Sequence, residues 1–171
     1  NKTYLDKIKL NKSLKITNHL EDLSELDILF VVIPTQYIQA TLKPLKKIIK
    51  RNCILVNCAK GIDIRSTSLI SEVINKTLPS NRLAIMSGPN FALEIALGKP
   101  TATLVAAQKI SDAKYIANLI SSKTFRPYLS NDIIGAQICG AMKNVYAIGC
   151  GIIVGKNFGE NAVASVIARS F

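Results

Sequence analysis

Residues 28–33 read ILFVVI and residues 53–58 read CILVNC. Neither run alternates polar with apolar residues. A strand of that composition has no side for water, the pattern of a parallel sheet covered by helices on both faces. Pro34 ends the first run. Between the two, Ile38, Leu42, Leu45, Ile48 and Ile49 recur at helical spacing over Tyr37–Lys50, and Pro44 is expected to kink or split that helix. After the second run, Ser66–Leu78 reads as a helix, with Ser66 as its N-cap and Pro79 just past its end. Shorter strands follow at Leu83–Met86, Thr101–Ala106 and Phe125–Leu129. Helices fill the gaps at Phe91–Leu97, closed by Gly98, and at Ser111–Ser122, capped by Ser111. Pro127 removes an amide donor from the last strand and places it at an edge. Strand and helix alternate throughout, which predicts an α/β layered sheet with right-handed crossovers.

The rhythm changes near Asp132. From there Ile133–Val154 is apolar and helical, Asn161–Ala168 begins another helix, and no further strand is expected. The reading is therefore a sheet domain over residues 1–131 and the start of a helical domain over residues 132–171. The chain opens at Asn1 and closes at Phe171 inside an apolar pattern, so it is expected to be the middle of a longer protein, inactive alone. The longest helical apolar run, Val145–Val154, falls short of a bilayer span, and no membrane partner is expected. Gly149, Gly151 and Gly155 imitate a dinucleotide fingerprint, but the required strand–turn–helix context is missing, so they read as helix-packing glycines.

Apolar residues make up 49% of the chain, enough for a core and too many for a disordered segment. The formal charge is +11. Lys43, Lys46, Lys47, Lys50 and Arg51 cluster on one amphipathic helix, but the remaining charge is scattered and not interleaved with aromatics. That argues against a nucleic-acid partner and leaves a positive field suited to an anionic small molecule such as a phosphate ester. Cys53, Cys58, Cys139 and Cys150 form no C-x-x-C pair and His19 is the single histidine, so no metal site is expected. This cysteine usage fits a reducing, cytoplasmic compartment.

Ligands of open α/β sheets bind beyond the carboxyl ends of the strands. Three loops occupy that position: Pro34-Thr35-Gln36, Ala59-Lys60-Gly61 and Ser87-Gly88-Pro89-Asn90. Lys60 stands alone between small residues after a buried strand, a compact charge suited to a phosphate or carbonyl oxygen, although a solvated loop lysine fits the same pattern. Asn90 is a candidate N-cap for the helix at Phe91, whose start would favour an anion. Gly140, Lys143 and Asn144 share one helical face at i, i+3 and i+4. Apart from Gln137, they interrupt an almost wholly apolar helix. A lysine there needs a partner or a route to the surface, and the adjacent Asn144 favours a functional role.

The stretches NKTYL (1–5), VVIPTQ (31–36), NCAKGI (57–62), SGPNFALEIALGKPT (87–101), FRPYLSNDIIGAQICGAMKNVYAIGCGI (125–152) and FGENAVASVIARS (158–170) together resemble the bacterial-type NAD(P)-dependent glycerol-3-phosphate dehydrogenase family, in that family's order. The resemblance implies part of a Rossmann-like doubly wound sheet followed by the first helices of an all-α domain. It implies that Lys143 is the catalytic lysine and that Lys60 contacts both NADH or NADPH and the substrate. Gly88, Asn90 and Asn144 would line the substrate site, Ala92 would lie against the cofactor, and Tyr4 near it. It further implies hydride exchange between the nicotinamide and dihydroxyacetone phosphate or glycerol 3-phosphate, in a homodimer serving glycerophospholipid synthesis. The family's fingerprint would precede Asn1, and an Asp and an Arg-Asn pair would follow Phe171. Asn90 stands where the family more often has Ser or Thr, and Asp6 where it usually has Pro. The alternatives are another lysine-dependent dehydrogenase of the 3-hydroxyacid and 6-phosphogluconate group, or a non-enzymatic dinucleotide-binding module.

Overall fold

The computed structural model describes residue 5 and residues 8–170. Tyr4 and the other residues of the 1–4 stretch lie outside them. A five-stranded sheet organises the chain. Its strands are β1 (Ile28–Val31), β2 (Ile54–Asn57), β5 (Arg82–Ser87), β6 (Thr101–Ala107) and β7 (Phe125–Ser130), in the spatial order β1-β2-β5-β6-β7. A small antiparallel pair, β3 (Ile62–Asp63) and β4 (Ser68–Leu69), stands apart. The helices are α1 (Ile38–Leu42), α2 (Ile70–Thr77), α3 (Ala92–Ala96), α4 (Ile110–Ile120), α5 (Ile133–Gly155) and α6 (Glu160–Arg169).

Strand alternation divides the core. Leu55 points to one face, where Ile38, Leu42, Leu45, Ile70 and Ile74 of the α1–α2 layer cover it. Ile54 and Val56 point to the other, where Ala113 and Ile116 of α4 cover them. All four residues of β2 are buried, as a doubly covered strand requires. α5 joins the α1–α2 side by setting Ala136 against Ile85 and Ala106. Arg82 at the start of β5 pairs with Asp112 near the start of α4, tying the second layer to the sheet.

Several expectations need correction. The sheet is not wholly parallel, because β5 and β6 pair antiparallel. The segment that joins them, residues 88–100, carries only the five-residue helix α3. Within this chain β1 is not covered along its whole length on both faces: Leu29 and Val31 pack on the α1–α2 side and Ile28 on the α4 side, while Phe30 is 38% exposed. Ser66 is not the cap of α2. It donates through its backbone N–H and its hydroxyl to the Asp63 carboxylate, closing the turn between β3 and β4, and α2 begins at Ile70. Those bonds hold Asp63 below the usual carboxylate pKa. Neither Ser111 nor Asn90 caps a helix: Lys109 stands at the N-cap of α4 and Phe91 at that of α3. Pro44 does split its helix, leaving α1 and a separate short 3-10 turn at Pro44–Lys47. Pro127 does lie on an edge strand.

α5 is longer than the apolar run read from Val145 to Val154. It has 23 residues, and by length and composition alone it could cross a membrane. Its N-terminal half is instead committed to the sheet domain, burying Ala136, Gln137 and Gly140. Asp132 caps it by accepting from the Gly135 N–H at 2.8 Å. Gln137 then clasps the start of α2. Its Oε1 accepts from the Ser71 N–H at 2.9 Å, and its Nε2 donates to the Ser71 hydroxyl at 2.9 Å and to the Ile133 carbonyl at 3.0 Å. The N–H bond satisfies an amide that helix geometry leaves without a partner. Gln137→Leu strands that buried amide and should cost about 1–3 kcal/mol in urea unfolding. Hydrogen exchange at the Ser71 amide should accelerate, and unchanged protection there would contradict the clasp.

Candidate active site

The carboxyl ends of β1, β2 and β5 open toward the same edge of the sheet, since these strands run parallel. The loop after β2 carries Lys60. Its backbone is fixed by Thr35, whose hydroxyl donates to the Lys60 carbonyl at 2.8 Å. Gly61 adopts φ 135°, a conformation that L side chains rarely take, and a Cβ there would come within 3.1 Å of the Thr35 hydroxyl oxygen. The loop after β5 carries Gly88, packed so closely on β6 that a Cβ would meet the Ala102 carbonyl oxygen and the Thr103 Cα, each at 3.0 Å.

The Lys60 ammonium closes the gap between these two loops by donating to the Gly88 carbonyl at 2.7 Å. α5 then comes down on both. A Cβ on Gly140 would lie 2.9 Å from the Ser87 Oγ and 3.5 Å from the Lys60 Cγ, so glycine lets the helix backbone sit against them. One turn further along α5, Lys143 reaches the same place. A cleft of about 510 Å³ results, lined by Lys60, Ser87, Gly88, Gly140 and Lys143 among others. Lys143 carries its ammonium 4.9 Å from the centre of the Phe91 ring.

Two like charges thus share one recess. The Lys60 pKa falls below the ordinary lysine value, first because partial burial penalises the charged form and then because the Lys143 ammonium repels it. Among the described residues, no carboxylate forms an ion pair with either. Asp132 also borders the cleft, but one of its oxygens is used in capping α5. The Cys58 thiol, two residues before Lys60, has its pKa pushed up to about 11 by burial, so it is a neutral thiol rather than a nucleophile.

Of the residues singled out in the sequence, Lys60, Gly88, Gly140 and Lys143 meet in this cleft. Asn90 lies behind the Gly88 turn. Its Nδ2 donates to the Thr103 hydroxyl at 3.0 Å, that hydroxyl donates to the Ser87 carbonyl, and the buried Asn90 Oδ1 has no protein partner. Ala92 and Asn144 are exposed and do not line the cleft. Thr35 and Ser87 support the site from two of the strand-end loops singled out in the sequence, whereas Thr103 and Gln137 support it without having been named as part of it. Of these last two, Gln137 left a trace in the sequence, as the other polar residue of an oily helix.

A strand-end crevice of a mixed α/β sheet, bordered by Lys60 and by Lys143 of α5, is where proteins of this fold class bind their ligands. The family models for the NAD-dependent glycerol-3-phosphate dehydrogenase N-terminus and C-terminus match residues 1–113 and 132–171, and the chain belongs to that family. It is 39% identical to a glycerol-3-phosphate dehydrogenase [NAD(P)+] of Hyphomonas neptunium and 40% identical to that of Parvibaculum lavamentivorans, over its whole length in each case. The chain spans about half the length of these relatives, 51% of each. Among solved structures, glycerol-3-phosphate dehydrogenase from Coxiella burnetii aligns with TM-score 0.88 and 30% identity over 98% of this chain and 51% of its own. The enzyme from Saccharomyces cerevisiae aligns with TM-score 0.89 and 29% identity over 99% of this chain and 51% of its own. The family assignment sets aside the 3-hydroxyacid alternative.

The paired lysines make a titration test. Lys143→Met removes the repulsion and keeps the desolvation, so the Lys60 pKa should rise yet stay below the ordinary lysine value. Site-resolved NMR titration of the lysine ε-carbons measures it. An unmoved Lys60 would mean that the two charges do not face one another.

Proposed function

We propose that the full-length protein carrying this chain interconverts dihydroxyacetone phosphate and sn-glycerol 3-phosphate with NADH or NADPH. The observation that carries this reading is the meeting of Lys60 and Lys143 across Gly140 at the strand-end cleft. Two cations without a paired carboxylate suit a phosphate ester, and the chain's net charge of +11 draws such a substrate in. The reading assigns residues 1–131 to dinucleotide binding and residues 132–171 to the start of the substrate domain.

The residues fit a nicotinamide dinucleotide. Lys60 offers a cation at the strand ends, and Gly61 and Gly88 let the loops after β2 and β5 pack closely on Thr35 and β6, which holds that cation in place. Lys60 and Ala92 would hold the cofactor, which when bound supplies or accepts the hydride at the central carbon of the substrate. Gly88 and Lys143 would hold the substrate together with Lys60, while Asn90, behind the Gly88 turn, and Asn144, outside the cleft lining, are assigned to it by family resemblance alone. Asn90 braces the Gly88 turn from behind through the Thr103 hydroxyl.

Reduction builds negative charge on the carbonyl oxygen. The Lys143 ammonium stabilises that charge and delivers a proton from Nζ, and in the oxidative direction the same nitrogen takes the proton back. Lys60, held by the Gly88 carbonyl, orients and polarises rather than moving protons. Leu104, Ala136 and Cys139 give the cleft an apolar wall that limits water around the reacting oxygen. The compartment proposed is the cytoplasm, consistent with four free cysteines, and the assembly proposed is a homodimer. The product would feed glycerophospholipid synthesis.

Lys143→Ala in the full-length protein should lower turnover about 100-fold or more, since it removes the proton donor of the reduction. Nicotinamide absorbance with dihydroxyacetone phosphate as substrate measures the rate. Near-normal turnover would remove Lys143 from the mechanism.

A further inference from the structure

Lys143 sits between two influences. On one side the Lys60 ammonium, which lines the same cleft, repels it, and that repulsion adds to the effect of partial burial in lowering the Lys60 pKa. On the other, the Phe91 ring lies 4.9 Å from its nitrogen, inside the range of about 6 Å over which an aromatic face attracts a cation. Phe91 is 59% exposed. It occupies the N-cap of α3 with extended backbone (φ −77°, ψ 116°) and supplies no side-chain cap. Within this chain the ring packs on no core cluster, while it meets the one ammonium on α5.

The choice of partner has a chemical consequence. A carboxylate beside Lys143 would neutralise its charge and repel an incoming phosphate. An aromatic face attracts the ammonium through its quadrupole yet carries no net charge. The nitrogen keeps its full charge, and its N–H groups remain free to hydrogen-bond on the cleft side. A lysine has four rotatable bonds, so without a partner the ammonium would sample many positions away from Lys60.

We infer that Phe91 is a positioning residue: the π face of its ring holds the Lys143 ammonium in the cleft, cationic and aimed at the substrate oxygen. The inference rests on the role proposed for Lys143 and adds what sets that lysine's position. It also gives the fifth residue of the SGPNF turn a job distinct from those of Gly88 and Asn90.

The test uses the full-length protein with phenylalanine at position 91 replaced by analogues bearing one, two and three ring fluorines. Fluorine drains the π face while nearly preserving shape. Turnover with dihydroxyacetone phosphate should fall stepwise along the series, reaching about three- to five-fold, the size expected of a part-exposed cation–π contact. The Michaelis constant should change less than turnover, and the thermal midpoint should stay within about a degree. Phe91→Tyr should retain activity, and Phe91→Leu, which keeps an apolar side chain without a ring, should match the most fluorinated variant. Lys143→Ala is the control. A flat fluorine series with an inactive Lys143→Ala overturns the inference about Phe91 alone. An active Lys143→Ala overturns the role of Lys143 and this inference with it.

Discussion

The arrangement depends on how closely a helix can approach the ends of β2 and β5. Gly140 has no side chain, so the backbone of α5 sits against Ser87 and the aliphatic stem of Lys60. Any larger residue there would have to displace the Ser87 hydroxyl first. That approach fixes everything one turn later: the position of Lys143, its encounter with Lys60 and the shape of the recess between them. Two further devices hold the helix in that place, the Asp132 cap at its start and the Gln137 clasp on α2. A functional side chain on a rigid element, supported by buried hydrogen bonds, is placed more reproducibly than one on a loop.

The electrostatics follow from the packing. The Lys60 pKa is depressed first by partial burial and then by the Lys143 ammonium that borders the same recess. An anionic ligand would relieve that repulsion. The Gly88 carbonyl takes up one donor of Lys60 in the meantime. In the proposed reaction, the same pair of charges would favour the negative oxygen that develops on reduction.

The sequence revealed the frame and the two lysines because both leave local signals. Unbroken apolar runs marked β1 and β2, and a lysine on an oily helix marked α5. What it hid was tertiary. Nothing near Ser66 says that its hydroxyl will go to Asp63 and delay α2 by several residues, nor that an amide at Ser71 will be capped by a glutamine 66 positions away. The antiparallel entry of β6 was hidden as well, since an apolar run of this kind does not state the direction of its neighbour. β1 looked doubly buried because periodicity reports how apolar a strand is, not whether a partner covers each side. Family resemblance supplied roles for Ala92 and Asn144, whereas the geometry leaves both exposed and away from the cleft lining.

The central claim is that the nitrogen of an α5 lysine meets a carbonyl oxygen above the ends of the parallel strands. A crystal structure of the full-length protein with dihydroxyacetone phosphate and the oxidised cofactor tests it most directly. The account predicts the substrate's carbonyl oxygen within about 3.2 Å of the Lys143 Nζ, with Lys60 on the same molecule. A substrate bound elsewhere, with that nitrogen turned out to solvent, would contradict it.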